Sequence, residues 1–331
     1  MEFYRLPKTE KQLIFKQIHE DIPIPDASIE KDWWVVQTLS LVFQTSAAPH
    51  LVFKGGTSLS KAWGIIERFS EDVDLALSYE FLGFSVNSSR TQITKLHDAS
   101  FKYISETFLP ELRQVFQVNG FADVEIDLTE VESPDQDPVK VLIKYPSVTE
   151  KSRYILPEVK LEIGSRTMRE PFTKRSFSSL MGEKYAGRSF ADQPITIPCV
   201  NPERTFLEKL FLLQEEFQRP VEKIRVERLS RHLYDIYRIW NAGYAEKVLE
   251  NQELYRSIVT HRERFTRLHG VNYSFHYPPN LNPLPPSEYL AAWEADYKTM
   301  QQQMIYGEDI SFTKLMTELK AIVQILNKLQ L

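Results

Sequence analysis

The run Asp72-Val73-Asp74-Leu75-Ala76-Leu77 alternates polar with apolar side chains, the period-2 pattern of a strand with one face on a core and one face toward solvent. Upstream, Leu51-Val52-Phe53 is short, apolar and partly β-branched, and Gly55-Gly56 cuts it off, which predicts a buried strand running into a tight turn. Thr57 or Ser58 is then placed to cap a helix reaching roughly Glu67. A chain with this local order of strand, glycine turn, helix and strand must build a sheet, and the rest of the sequence is read for what completes it.

Before this unit the pattern is helical through about Thr45, broken at Ile22-Pro23-Ile24-Pro25, where two prolines forbid a helix interior. Ser28 is expected to cap the second of these helices, whose residues Trp33, Val36, Leu39 and Phe43 recur at helical spacing. After it, a helical stretch from about Thr91 to Val118 precedes three β-like runs: Phe121 to Val131, Val139 to Tyr145 and Val159 to Ile163. Around Ile195-Thr196-Ile197-Pro198 the strand signals stop, and Asn201-Pro202-Glu203 is a helix start, with Asn as cap and Pro at the first helical position. Helices are predicted at 202 to 218, 221 to 242, 246 to 268, 287 to 305 and 311 to 329, with a proline-rich connection from Tyr277 to Pro286. The fold class is α+β: a mixed sheet with covering helices over residues 1–198, then an all-helical domain over 199–331.

Length and composition fit this plan. A chain of 331 residues that is 42% hydrophobic can fill two cores. The single cysteine, Cys199, excludes an internal disulfide framework and any multi-cysteine metal site, and reads as a small buried hydrophobe. The opening residues lack a basic region followed by an apolar stretch, and no run approaches the roughly 20 apolar residues that span a bilayer. A cytoplasmic protein with no membrane association is expected. A net charge of −5 argues against blanket affinity for nucleic acid, so any such contact must be local.

Asp72 and Asp74 lie one residue apart on a strand, so they point to the same face with Cα atoms about 6.5 to 7 Å apart. Such a pair can chelate or bridge hard divalent cations. The turn Phe53-Lys54-Gly55-Gly56-Thr57-Ser58 lets phosphate approach backbone amides beside a helix N-terminus. It lacks the Gly-x-x-x-x-Gly-Lys-Ser/Thr spacing of a Walker loop.

The order of hydrophobic run, Gly-Gly, helix-length spacer and Asp-hydrophobic-Asp-hydrophobic resembles the DNA polymerase β-type nucleotidyltransferase superfamily. The match is closer over Lys54-Gly55-Gly56-Thr57-Ser58-Leu59-Ser60-Lys61-Ala62-Trp63-Gly64 and Arg68-Phe69-Ser70-Glu71-Asp72-Val73-Asp74-Leu75, which look like the AbiEii/AbiGii toxin family that includes the MenT nucleotidyltransferases. Glu208-Lys209-Leu210 and Arg231-His232-Leu233-Tyr234-Asp235-Ile236 resemble two later segments of that family. The likeness is strong over 51 to 77 and weaker through about 240, and the last 90 or so residues show none.

The resemblance implies a third carboxylate on a later strand. Glu162, in Leu161-Glu162-Ile163, is favoured, and Asp127, in Ile126-Asp127-Leu128, is the rival. It implies that Asp72, Asp74 and Glu162 bind two Mg2+ ions, with Mn2+ as a substitute, and that Lys54, Gly55, Gly56, Thr57 and Ser58 hold phosphate. Lys209 would neutralise triphosphate charge, and Asp235 would orient Lys209 or His232 or help position the acceptor. Arg228, His232, Asp235 and Arg238 recur at helical spacing and are expected to line one face. Arg228 and His232, with Arg262 and Arg264 of the basic run His261 to His269, are candidate acceptor contacts against the alternative of a solvated charged face. Glu30-Lys31-Asp32-Trp33-Trp34 also resembles a family segment, and could either face the cleft or simply pack.

The implied activity is transfer of a nucleoside monophosphate from an NTP to RNA, with a tRNA 3' end as the expected acceptor, by the toxin of a bacterial toxin-antitoxin or phage-defence pair whose antitoxin is encoded nearby. The alternatives are transfer to a protein or small molecule, and a catalytically silent binding protein of the same fold.

Overall fold

The computed structural model describes residues 2–70, 72–129, 137–150 and 155–330. It divides into two compact units, one of Met1–Trp63 with Phe69–Val200 and one of Gly64–Arg68 with Asn201–Leu331. Glu71, of the Arg68-to-Leu75 motif, and Val131, the predicted end of a strand, lie outside the described residues.

The first unit is a seven-stranded mixed sheet with helices. Its strands are β1 (Leu51–Lys54), β2 (Asp72–Leu77), β3 (Glu125–Leu128), β4 (Val139–Lys144), β5 (Glu158–Gly164), β6 (Phe172–Phe177) and β7 (Ile195–Val200), in the spatial order β3-β4-β5-β2-β1-β7-β6. β2 lies near the middle, antiparallel to β1 and parallel to β5. The alternation in the sequence becomes two different faces. Val73, Leu75, Val141, Ile143, Val159, Leu161 and Ile163 are all at most 1% exposed and form the core side. Asp72, Asp74, Lys160, Glu162 and Lys140 alternate with them and are partly exposed.

Several local boundaries differ from the sequence expectation. The helix Asp26–Val42 begins directly after Pro25, not at a Ser28 cap, because Pro25 is extended (φ −55°, ψ 144°) and its carbonyl already accepts from Ser28 and Ile29. Ser28 is therefore a buried first-turn residue. The helix after β1 spans Gly55–Lys61, so neither Thr57 nor Ser58 caps it and it stops well short of Glu67. Thr57 Oγ1 instead donates to the Asp72 carbonyl at 2.5 Å, tying that helix to β2. The run expected from Phe121 shortens to Glu125–Leu128.

β6 and β7 form an antiparallel pair that the sequence hides, and β7 also runs parallel to β1 with Phe53 opposite Cys199. Phe172-Thr173-Lys174-Arg175-Ser176-Phe177 is largely polar, and Pro198, which cannot donate to a ladder, masks the continuation of β7 to Val200.

The second unit is helical. Pro202–Glu216 starts at Asn201 with Pro at its first position, although Asn201 makes no side-chain cap and its amide donates to Glu203 instead, at 3.0 Å. Where one helix was expected over 221 to 242, a short 3-10 turn at Val221–Lys223 is followed by Ser230–Asn241. Arg228, with φ 61°, lies in the break before that helix. The remaining principal helices are Gln252–Phe265, Leu290–Gln303 and Phe312–Leu326. Among the described residues no helix is long and apolar enough to cross a membrane.

Candidate active site

The register of the first unit places the acidic residues side by side. Asp74 is paired with Lys54 on β1 and with Glu162 on β5, and Asp72 is paired with Lys160. Adjacent strands are about 4.8 Å apart and paired residues share a face, so Asp72, Asp74 and Glu162 form one patch. Asp127 does not join it. It sits on β3, with β4 and β5 between it and β2, and its exposed carboxylate accepts from Arg113 at 2.7 Å.

Gly55 fits against this patch. It has φ +78°, a conformation L side chains rarely adopt, and a Cβ placed on it would lie 2.1 Å from Asp74 Oδ2 and 2.8 Å from Asp74 Cγ. The glycine is needed both for the turn and to leave the Asp74 carboxylate its place. Gly56, Thr57 and Ser58 follow in the first turn of the short helix and are buried, while Lys54 is partly exposed.

Burial raises the pKa of Glu162 above the usual carboxylate value, and the charges of Asp74 and Asp72 raise it further, while Lys140 and Lys160 oppose the shift. The three carboxylates are therefore crowded. An all-oxygen donor set on stiff neighbouring strands has the chemistry of a site for a hard divalent cation. Among the described residues no three Asp, Glu, His or Cys side chains already converge as a finished cage. Two of the three acids are engaged by lysines instead: Lys160 Nζ is 3.5 Å from Asp72 Oδ1, and Lys140 Nζ is 3.6 Å from Glu162 Oε1. The donor set fits such an ion, provided the carboxylates turn from the lysines toward it.

Other sequence candidates in this unit serve its framework. Glu30 accepts hydrogen bonds from Ser147, Val148 and Thr149 at 2.6 to 2.8 Å, and Asp32 accepts from the Leu180 amide at 2.7 Å and pairs with Lys61 at 2.9 Å. Cys199 is fully buried, and burial pushes its thiol up to about 12, the behaviour of an inert small hydrophobe. A concavity of about 640 Å³ lined by Thr9, Gln12, Lys16, Asp26 and Glu150 contains none of the acidic patch.

In the second unit, Asp235 is completely buried and holds two cations at once. Arg68 donates to both its oxygens through Nε and Nη2, each at 2.7 Å, and Lys209 Nζ lies 2.8 Å from Oδ2. Despite burial, these cations hold the Asp235 carboxyl far below its usual value. Lys209 is also 3.3 Å from His232 Nδ1, and burial, reinforced by the Lys209 charge, lowers His232 well below its ordinary value. A neutral His232 can accept from the Lys209 ammonium. Burial lowers Lys209 as well, with Asp235 opposing.

Lys209, His232 and Asp235 thus come together, and Arg68, which sequence reasoning quotes only as part of a motif, completes the cluster. Its signal is a charged residue held at a fixed distance before Asp72 in the matching segment. Lys140 and Lys160 are likewise missed, although strand alternation puts Lys160 on the face of Glu162.

Of the four residues expected to line one helix face, His232, Asp235 and Arg238 stand three apart on Ser230–Asn241 and share a face, and Arg228 does not. Arg228 precedes the helix, and His232 and Asp235 are buried. Arg238 is turned to the Ile65 carbonyl at 3.1 Å and to Glu67 at 3.0 Å. Arg262, expected on a basic helix end, is fully engaged by buried Glu215, at 2.8 and 2.5 Å, so it braces the unit's interior. Arg228 and Arg264 are exposed.

The profile of the family described as nucleotidyl transferase AbiEii toxin, type IV TA system, matches residues 40–323. The chain belongs to this family. The match covers the acidic patch, its glycine turn and the Asp235 cluster, and extends far past residue 240, into helices where the sequence alone shows no resemblance. The general enzyme class of this AbiEii member is accordingly nucleotidyltransferase. A search of curated proteins finds no match.

Proposed function

We propose that this AbiEii-family protein transfers a nucleoside monophosphate from an NTP to an acceptor hydroxyl, with pyrophosphate as the leaving group. The observation that carries the reading is the adjacency of Asp72, Asp74 and Glu162 on β2 and β5, with Gly55 fitted against Asp74. In this reading the three carboxylates hold two Mg2+ ions, or Mn2+ in their place. When bound, such ions lower the pKa of the attacking hydroxyl and steady charge on the leaving group. The carboxylates themselves would fix the ions on a stiff sheet. The amides at the start of Gly55–Lys61, which a helix leaves without intrahelical partners, receive phosphate oxygens, and the small residues Gly55 and Gly56 allow the approach. Lys54 contributes positive charge beside Asp74.

Within the second unit, Lys209 and Asp235 are the residues that the family resemblance nominates for the reaction. Asp235 fixes the Lys209 ammonium through the 2.8 Å pair and opposes the lowering of its pKa by burial. The acceptor we propose is RNA, specifically a tRNA 3' end, and the biological role is that of a cytoplasmic toxin, active in phage defence and countered by an antitoxin encoded nearby. The family's description as part of a type IV toxin-antitoxin system supports the last point.

The test is incubation with each α-phosphate-labelled NTP and separate RNA, protein and small-molecule acceptors. Label on RNA 3' ends that requires divalent cation is the expected result. Label on a protein or small molecule alone overturns the RNA assignment. No label on any acceptor, with full NTP binding retained, would instead make the protein a silent binding module.

A further inference from the structure

The acids of the candidate site do not stand alone: each outer one faces a lysine on the neighbouring strand. Lys160 is the register partner of Asp72, and Lys140 is the register partner of Glu162. Both ammonium groups lie 3.5 to 3.6 Å from a carboxylate oxygen, longer than the 2.7 to 2.9 Å typical of a charge-assisted hydrogen bond, and each lysine side chain keeps about 35% of its exposure. A loose, solvated ion pair of this kind is held by little more than screened attraction and exchanges readily.

We propose that Lys140 and Lys160 are displaceable counter-cations that couple divalent-ion binding to nucleotide binding. The inference rests on the reading of Asp72, Asp74 and Glu162 as the ion-binding acids. A divalent ion needs the same carboxylate oxygens that the lysines face, so ion and ammonium compete. A divalent ion held by these carboxylates would carry twice the charge of an ammonium, so Lys140 and Lys160 would give way to it, but their charge would oppose its binding. An ion that arrives with a triphosphate changes the balance. The phosphates bring negative charge to the same face, and the displaced Lys160 and Lys140 can pair with it instead of being left beside a cation. The lysines therefore disfavour the ion alone and favour ion with nucleotide, and this difference is a coupling free energy that acts equally in both directions.

Lys209, by contrast, holds Asp235 at 2.8 Å with 9% exposure and has Arg68 beside it, so that ammonium is locked.

The experiment measures Mn2+ affinity of the full chain by the electron paramagnetic resonance signal of free Mn2+, with and without a nucleotide whose α,β-bridging oxygen is replaced by methylene. The wild type is expected to bind Mn2+ weakly alone and more tightly with nucleotide. In Lys140→Met/Lys160→Met, Mn2+ alone binds about three- to ten-fold tighter and the nucleotide-induced gain shrinks by a similar factor. Lys140→Arg/Lys160→Arg, which keeps the charges, behaves as wild type and controls for packing. Unchanged or weaker Mn2+ affinity in the methionine variant, with wild-type Mn2+ binding that Asp74→Asn abolishes, overturns this inference while leaving the ion site intact. Failure of the wild type to bind Mn2+ at all overturns both.

Discussion

On β2, β4 and β5, Lys160 and Lys140 stand 3.5 and 3.6 Å from Asp72 and Glu162, and about a third of each lysine is exposed. Around Asp235, Arg68 and Lys209 stand 2.7 and 2.8 Å away and little of either cation reaches solvent. The residue types are nearly the same, and solvent decides what they can do. In the open patch water screens each pair, so partners can be exchanged at small cost. In the buried cluster every charge has left water, and each is tolerable only while its partners stay in place. One region leaves its charges free to change partners, and the other keeps a fixed arrangement of charges.

The strongest way to break this contrast is to remove one partner on each side. Asp235→Ala leaves Arg68 and Lys209 buried without their carboxylate and should cost about 3 to 5 kcal/mol in urea unfolding. Lys160→Met should cost less than about 1 kcal/mol. Equal losses would mean that burial does not separate the two regions.

Gly55→Ala should be next in size. The new Cβ meets Asp74 Oδ2 at 2.1 Å on a backbone with φ +78°. A cost of about 1 to 3 kcal/mol is expected, with divalent-ion affinity falling at least about ten-fold as Asp74 is pushed aside. An alanine variant that binds ion normally would show that Asp74 does not depend on this glycine.

The buried region also predicts a pH dependence. Burial lowers His232 well below its ordinary value and pulls His261 down to about 3. The unfolded chain binds these protons from about pH 6.5 downward while the folded chain does not, so stability falls as pH falls, by up to about 1.4 kcal/mol per pH unit for each histidine. Asp235 adds to the loss only below about pH 3.8, where its unfolded form takes up a proton and its folded form stays ionised. Melting temperature recorded from pH 7.5 to 4.5 should decline, and His261→Asn should flatten the decline. An unchanged slope would place the proton uptake elsewhere.

The smallest effect belongs to Glu162→Gln. Removing a carboxylate crowded by Asp74 and Asp72 relieves repulsion but also strands Lys140, so stability should move by less than about 1 kcal/mol while ion binding weakens. A loss of several kcal/mol would reveal Glu162 as a framework residue.

The open patch was the more legible of the two regions in the sequence. Alternation alone puts Asp72 and Asp74 on one face, and Gly55-Gly56 announces the turn, because these features depend on residues close together in the chain. The resemblance already favoured Glu162 over Asp127, but the strand order that puts Glu162 beside them depends on pairings across some 90 residues. β6 stayed hidden because its residues are largely polar, and β7 because Pro198 reads as a strand breaker. The Asp235 cluster was only half visible. Lys209, His232 and Asp235 sit within recognisable helical segments, but Arg68 reaches them from a five-residue segment, Gly64–Arg68, whose membership in the second unit nothing local signals. Arg262 was misjudged for the same reason, since its partner Glu215 lies on another helix.

The central claim, that the acids on β2 grip divalent cations for nucleotidyl transfer, is tested most directly by the rate of label transfer from an α-phosphate-labelled NTP in Asp74→Asn beside the wild type. The account predicts a loss of about a thousandfold, on the order of 4 kcal/mol of transition-state stabilisation, with an unchanged melting curve. Transfer by Asp74→Asn at the wild-type rate would contradict it.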